Sequence, residues 1–335
     1  MKPVAILFLW FLLMFYPADA PASEPFSWHL GSEGGFYISD MLGNRLLTRL
    51  IGRLQYTNTF DHNFITLNAR LAPELYGFSF SASTLKLSGQ MNFGQRLPDF
   101  TWQTRLSARH YSYQSDQYND VSFTVFQMGA DLTRPISAKL ILGTALDYFY
   151  RDNSRRPRNQ LDSYAFSPFA GYRFNRANYL TLELTMERFH IMRSFAAEGL
   201  TANSGWRIGP KLGFNHRSGY LLSLTWQFIH HSADAILSDH WENRLDLLWG
   251  RMLGGKGSLF FYLNYQFRPR AEENVPVELT YTPVNNENWI HIKAGYDVSR
   301  TTELYARFGY TRDELVYKKQ DLSGWQFLLG FNLRY

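Results

Sequence analysis

Imidazole, hydroxyl, amide and carboxylate groups crowd into Phe228-Ile229-His230-His231-Ser232 and the following Ser238-Asp239-His240-Trp241-Glu242-Asn243-Arg244-Leu245. No other stretch is as well stocked for catalysis, and a hydroxyl close to an imidazole is the raw material of nucleophilic hydrolysis. The tripeptide His-x-Ser recurs at His110-Tyr111-Ser112 and His216-Arg217-Ser218, so it needs context to carry meaning. Other chemistries lack their residues. The chain has no cysteine, which removes disulfides, thiolate zinc sites and a lipid-modified amino-terminal cysteine. It has no phosphate-binding glycine loop and no His-Glu-x-x-His, and no metal site is expected. Glu187 and His190 are close in sequence, but their odd spacing puts them on opposite faces of a strand. Asp234, Asp239 and His240 offer acids and an imidazole in a loop without a spacing that singles them out.

The stretch 228–245 resembles the His-x-Ser and downstream Trp-Asn-Arg-Leu region of outer-membrane phospholipase A. That resemblance implies a Ser-His-Asn site with Ser232 as nucleophile, His230 as its general base and Asn243 orienting the imidazole, with calcium as the cofactor. His230 and Ser232 continue the residue parity of Trp226 and Phe228, and Asn243 that of Leu245. All three then belong to the lipid-facing set near the outer rim, where an acyl hydrolase meets its substrate.

A second set of residues could select ions. Arg53, Arg70, Lys86, Arg105, Arg109, Lys139, Arg173, Arg207, Lys211, Arg244, Arg268, Lys293, Arg307 and Arg334 share the polar parity of their segments, as do Asp131, Asp147, Glu183, Glu187, Glu242, Asp246, Asp297 and Glu303. The basic excess makes a moderately positive lumen, which lowers the barrier for anionic solutes. Neighbours such as Arg173 with Glu183, and Arg244 with Asp246, would pair across a wet interior.

The elements that must position these groups are strands. Trp325, Phe327, Leu329, Phe331, Leu333 and Tyr335 alternate with Gln326, Gly330, Asn332 and Arg334, with Leu328 the apolar exception, and alternate residues lie on opposite faces of a sheet. The pattern recurs upstream, as in Leu180, Leu182, Leu184 and Met186 against Thr181, Glu183, Thr185 and Glu187. It resembles Gram-negative outer-membrane barrels of the porin or channel kind, ending on an aromatic closing strand that barrel-assembly machinery would recognise at Tyr335. Fifteen such segments run from 47–58 to 323–335. Because single-chain bacterial barrels have even strand numbers, Gly35–Met41 is expected to supply a sixteenth, with fourteen strands as the alternative. The all-β, up-and-down antiparallel barrel is then the fold, and alternation is weakest before Leu85.

Tight turns near 134–136, 175–177, 217–219, 254–255 and 299–300 alternate with longer loops near 152–160, 191–204, 232–239, 269–287 and 314–322. Short turns face the periplasm in such barrels. The loops at 191–204 and 269–287 are the expected plugs or partner surfaces.

Met1–Ala22 reads as a secretory signal peptide, with a basic start, an apolar run from Val4 to Tyr16 and small residues before Ser23. Residues 23–335 are the barrel, exported to the periplasm and inserted in the outer membrane. The formal charge of +5 comes from 34 basic and 29 acidic residues without a long basic run, so nucleic-acid binding has no support. The cluster Arg151-Asp152-Asn153-Ser154-Arg155-Arg156-Pro157-Arg158 reads as a solvated loop that would face lipopolysaccharide phosphates. The sequence thus points to a pore for small polar solutes, with a lean towards anions and no cofactor. The lipid acyl hydrolase and a non-conducting assembly or adhesion scaffold are the alternatives, and the solute and the oligomeric state are left open.

Overall fold

In the computed structural model sixteen strands follow one another in chain order: β1 Phe26–Ser39, β2 Gly43–Phe60, β3 Asn63–Tyr76, β4 Ala82–Arg96, β5 Thr101–Ser115, β6 Phe123–Pro135, β7 Leu140–Asn153 and β8 Asn159–Arg173. They continue with β9 Asn178–Arg193, β10 Ala202–Ser218, β11 Tyr220–Ala233, β12 His240–Leu253, β13 Gly257–Phe267, β14 Glu287–Asp297, β15 Thr302–Leu315 and β16 Gln320–Arg334. Each pairs antiparallel with its sequence neighbours, and β1 pairs with β16 to close the barrel. The structure describes residues 26–39, 43–76, 82–115, 122–153, 159–193, 201–234, 239–267, 287–315 and 320–334. The expected signal peptide, Arg155, Arg156, Arg158, Arg268, Tyr335 and most of the two expected plug loops lie outside the described residues. No helix among the described residues is long and apolar enough to cross a membrane.

The fifteen segments expected from alternation each coincide with a strand, their ends within four residues. The first strand differs: it starts at Phe26 rather than Gly35 and ends at Ser39. The reason lies in its interior face. Tyr37 is buried with Leu47 and Leu328 in a small apolar cluster inside the barrel, so β1 and β2 carry apolar residues on both faces and the period of two is blurred.

Elsewhere parity and exposure agree. Phe36, Leu146, Leu182, Phe327 and Leu329 point outward and are largely exposed, whereas Glu33, Glu187, Glu242 and Glu303 point inward and are buried. Lipid as the outer solvent makes sense of that inversion, because a bare apolar band around a closed sheet has no partner in water. Leu146, 57% exposed near the middle of β7, measures the effect. Leu146→Arg should cost roughly 2–4 kcal/mol in reversible folding into phospholipid vesicles; a loss below about 0.5 kcal/mol would deny the lipid-facing assignment.

The barrel has two unlike ends. Seven connections are short and described, including the single Gly219 between Ser218 and Tyr220 and the turn at Gly254. Both glycines have positive φ, 72° and 64°, which explains their residue type. The short turns, the start of β1 and the end of β16 share one rim, and the strand ends flanking the other connections share the other. Outer-membrane barrels keep their short turns on the periplasmic side, which labels the rims inner and outer.

Candidate functional site in the barrel interior

The interior charges form two different walls. On one, the strand register aligns a row rich in basic side chains: Arg334 opposite His29, His29 opposite Arg53, Arg53 opposite Arg70, Arg70 opposite Ser88, and Ser88 opposite Arg109. Barrel strands tilt by some 35–45° from the axis, so this row climbs the wall from the inner rim at Arg334. Like charges directly opposite in a sheet are destabilising. Arg53 and Arg70 are such a pair, and no carboxylate lies within ion-pair distance of Arg53, Arg70 or Arg109 among the described residues.

Beside this row, carboxylates are held by several cations each. Glu33, buried to 2% exposure, takes Arg49 and Arg307, both at 2.5 Å, and a hydrogen bond donated by the Tyr305 hydroxyl at 3.0 Å. Gly330 makes room for that Tyr305 ring, since a Cβ there would sit 2.6 Å from it. Glu74 takes Arg49 at 2.7 Å, Lys86 at 3.6 Å and a hydrogen bond from the Thr84 hydroxyl. Glu303 takes Lys293 at 2.8 Å, Arg334 at 2.6 Å and the Asn332 amide. This side of the barrel lines an open cavity of about 1110 Å³, whose lining includes Arg49, Arg53, Arg70, Lys86, Arg109, Lys293, Arg307 and Arg334 against only Glu33 and Glu74. Tyr111, Tyr262 and Trp289 add aromatic surface to it.

The facing wall is balanced towards acid. Arg105 bridges Asp131 at 3.0 Å and Asp147 at 3.1 Å, and Lys211 meets Glu183 at 3.0 Å. Arg244 meets Asp246 on its own strand at 3.0 Å. Arg207, buried, spans Glu187 at 2.6 Å and Glu242 at 2.7 Å. In these pairs four cations answer six carboxylates, and Arg151 of β7, buried on the same face, adds a fifth cation.

Of the residues expected to line the lumen, Arg105, Arg109, Asp147, Glu183, Arg207, Lys211, Arg244, Asp246, Lys293 and Arg307 take interior positions in these two walls. Lys139 lies in the exposed turn between β6 and β7, and Arg173 ends β8 exposed at the inner rim. The expected Arg173–Glu183 pairing is not formed, because the register sets Glu183 against Phe169 and Arg173 against Tyr179. Residue parity had missed Arg49, Glu33 and Glu74, which lie where the alternation is weakest. Their signal was the unusual Glu33 among glycines in Gly31-Ser32-Glu33-Gly34-Gly35.

The Ser232, His230 and Asn243 set sits on the outward face near the outer rim. The residue opposite His230 is Trp241, and Asn243 stands opposite Phe228. Trp241 stacks on Phe228 at 4.5 Å between centroids and lies 4.6 Å from the His230 ring. No hydrogen bond joins the three residues among those described, and Ser232 is paired instead with Trp206 of β10. The register therefore surrounds His230 with aromatic rings characteristic of a membrane interface.

Comparison with protein-family models and with curated proteins returns no match. Among solved structures, the chain is similar to CdiB from Acinetobacter baumannii, with a TM-score of 0.54 and 9% identity, over 94% of this chain and 61% of that one. It is similar to a variant of OccD1 (OprD) with a TM-score of 0.46 and 9% identity, over 95% and 97% of the two chains. A variant of the ferric enterobactin receptor PfeA from Pseudomonas aeruginosa gives 0.43 and 9%, over 88% and 54%. The chain spans a little over half the length of the PfeA structure and about three fifths of CdiB. What it shares with CdiB is architecture, a closed antiparallel barrel, which in this chain has sixteen strands.

Proposed function

We propose that this chain forms a pore of the bacterial outer membrane that passes small polar solutes and favours anions. The single observation that carries the reading is the run Arg53, Arg70 and Arg109 along one interior wall, with no carboxylate at ion-pair distance among the described residues. A like-charged cross-strand pair weakens a sheet, and fixed cations along a water-filled path lower the barrier for anions. The cost to folding is compensated by a function that needs positive charge at that place. A barrel of sixteen strands is wide enough for an aqueous lumen, and the cavity bounded by this row has the size of a small-molecule site.

The same reading includes export behind the signal peptide, insertion through the closing strand ending at Tyr335, and contact of the outer loops with lipopolysaccharide. Planar-bilayer recording tests it. The refolded barrel should give discrete conductance steps, and a potassium chloride gradient should give a reversal potential of the sign set by chloride. A barrel that inserts without steps, or one that is cation-preferring, overturns the proposal.

A further inference from the structure

We propose that His231, His240 and Glu242 form a binding site for a divalent transition-metal ion of the zinc class on the interior wall near the outer rim. The inference rests on the fold alone and is independent of the pore reading. His231 and His240 are direct cross-strand partners on β11 and β12, and Glu242 follows His240 by two residues on the same inward face. Their donor atoms all lie within 4.8 Å of one another. Glu242 Oε1 is 3.2 Å from His240 Nε2 and 3.9 Å from His231 Nδ1. Ligand bonds of roughly 2.0–2.2 Å in a tetrahedral set place donors about 3.4 Å apart, so the Glu242–His240 separation already suits one ion and the other two close to it with a small ring movement.

The surroundings favour a dication. Glu242 Oε2 is fixed by Arg207 at 2.7 Å, which is itself held by Glu187 at 2.6 Å, leaving Oε1 turned towards the imidazoles. Two carboxylates, one guanidinium and two neutral imidazoles sum to one negative charge, and the ion reverses it rather than adding to a positive cluster. A carboxylate ligand oriented by an outer partner is the usual support of such sites. His231 is sandwiched between Phe189 at 4.9 Å and His240 at 4.5 Å, so binding the ion requires the more exposed His240 to turn its ring out of the stack while His231 stays against Phe189. The His231 and Glu242 side chains are 3% exposed, while that of His240 is 17% exposed, so the fourth position opens to water. Two imidazoles and one carboxylate with an open position are a donor set that zinc, copper and nickel accept, and magnesium and calcium do not.

The test uses the whole barrel refolded in detergent. Calorimetric titration with zinc chloride should show one tight site per chain, and cobalt should give the intense visible bands of tetrahedral coordination. Zinc affinity should fall at least ~10-fold in His231→Asn and in Glu242→Gln, and the cobalt bands should vanish in the double variant His231→Asn/His240→Asn. Heat-modified gel mobility verifies that each variant is folded, and the wild-type cobalt spectrum decides the matter should a variant fail that check. Absence of a tight site in the wild type, or unchanged stoichiometry and spectrum in the folded double variant, overturns the proposal.

Discussion

Replacing both Arg53 and Arg70 by glutamate should turn the pore from anion-preferring to cation-preferring. The two residues are neighbours across β2 and β3 and line the cavity, so a permeating ion passes both at short range. A unit charge about 8 Å from an ion is worth roughly 0.5 kcal/mol in a water-like dielectric. The double reversal changes the wall by four units, on the order of 2 kcal/mol, or more than tenfold in the anion-to-cation ratio before salt screening. The reversal potential in a salt gradient should therefore change sign at low ionic strength and shrink towards zero as salt is raised. Arg53→Gln/Arg70→Gln should fall between, with little selectivity left. The glutamine pair relieves a like-charge contact, so that barrel should be no less stable than the wild type. A double variant with unchanged selectivity would mean that ions take a route away from this wall.

Glu33→Ala should be the most damaging single change to stability, at about 3–5 kcal/mol. Its carboxylate is buried and receives Arg49, Arg307 and Tyr305, and removing one partner of a buried ion pair leaves the others uncompensated. The lower end of that range applies, because Arg49 keeps Glu74 at 2.7 Å and both guanidinium groups retain some contact with water. Urea-induced unfolding from vesicles measures it, and a loss under about 1 kcal/mol would show that the network merely decorates the wall. The same substitution removes a negative charge from the cavity, so it should raise anion preference while lowering stability. That opposition separates what the charges do for the fold from what they do for the solute.

Which residues face outward was legible in the sequence because lipid enforces it: a charge on the outer face is costly, so Leu182 and Glu183 cannot exchange places. Fifteen strands followed from the same constraint, and the sixteenth from the even strand number of single-chain barrels. What sequence could not supply was register. Arg53 and Arg70 are seventeen positions apart, and only the turn at Asp61, with its positive φ of 52°, sets one against the other. The expected Arg173–Glu183 pair failed for the same reason, by a shift along one ladder. Inward-facing apolar residues hid the rest, since Tyr37, Leu47 and Ile51 gave β1 and β2 no clear polar face. His231 was readable in principle: the parity that turns His230 and Ser232 outward turns His231, His240 and Glu242 inward.

Every strand but one pair is joined to its neighbour by a hairpin, so only the seam between β1 and β16 brings distant parts of the chain together. Hairpins form from local contacts and form early, whereas the seam carries the whole loop-closure cost. Glu33 lies on one side of that seam, and Tyr305 and Arg307, one strand beyond it, reach across. Until the edges meet, this carboxylate has only Arg49, and two strands present unpaired backbone that invites association with other chains. The seam thus works as a latch, with a charged bolt that engages at the last step of assembly. Weakening it should leave the hairpins intact and yield chains that insert but do not close.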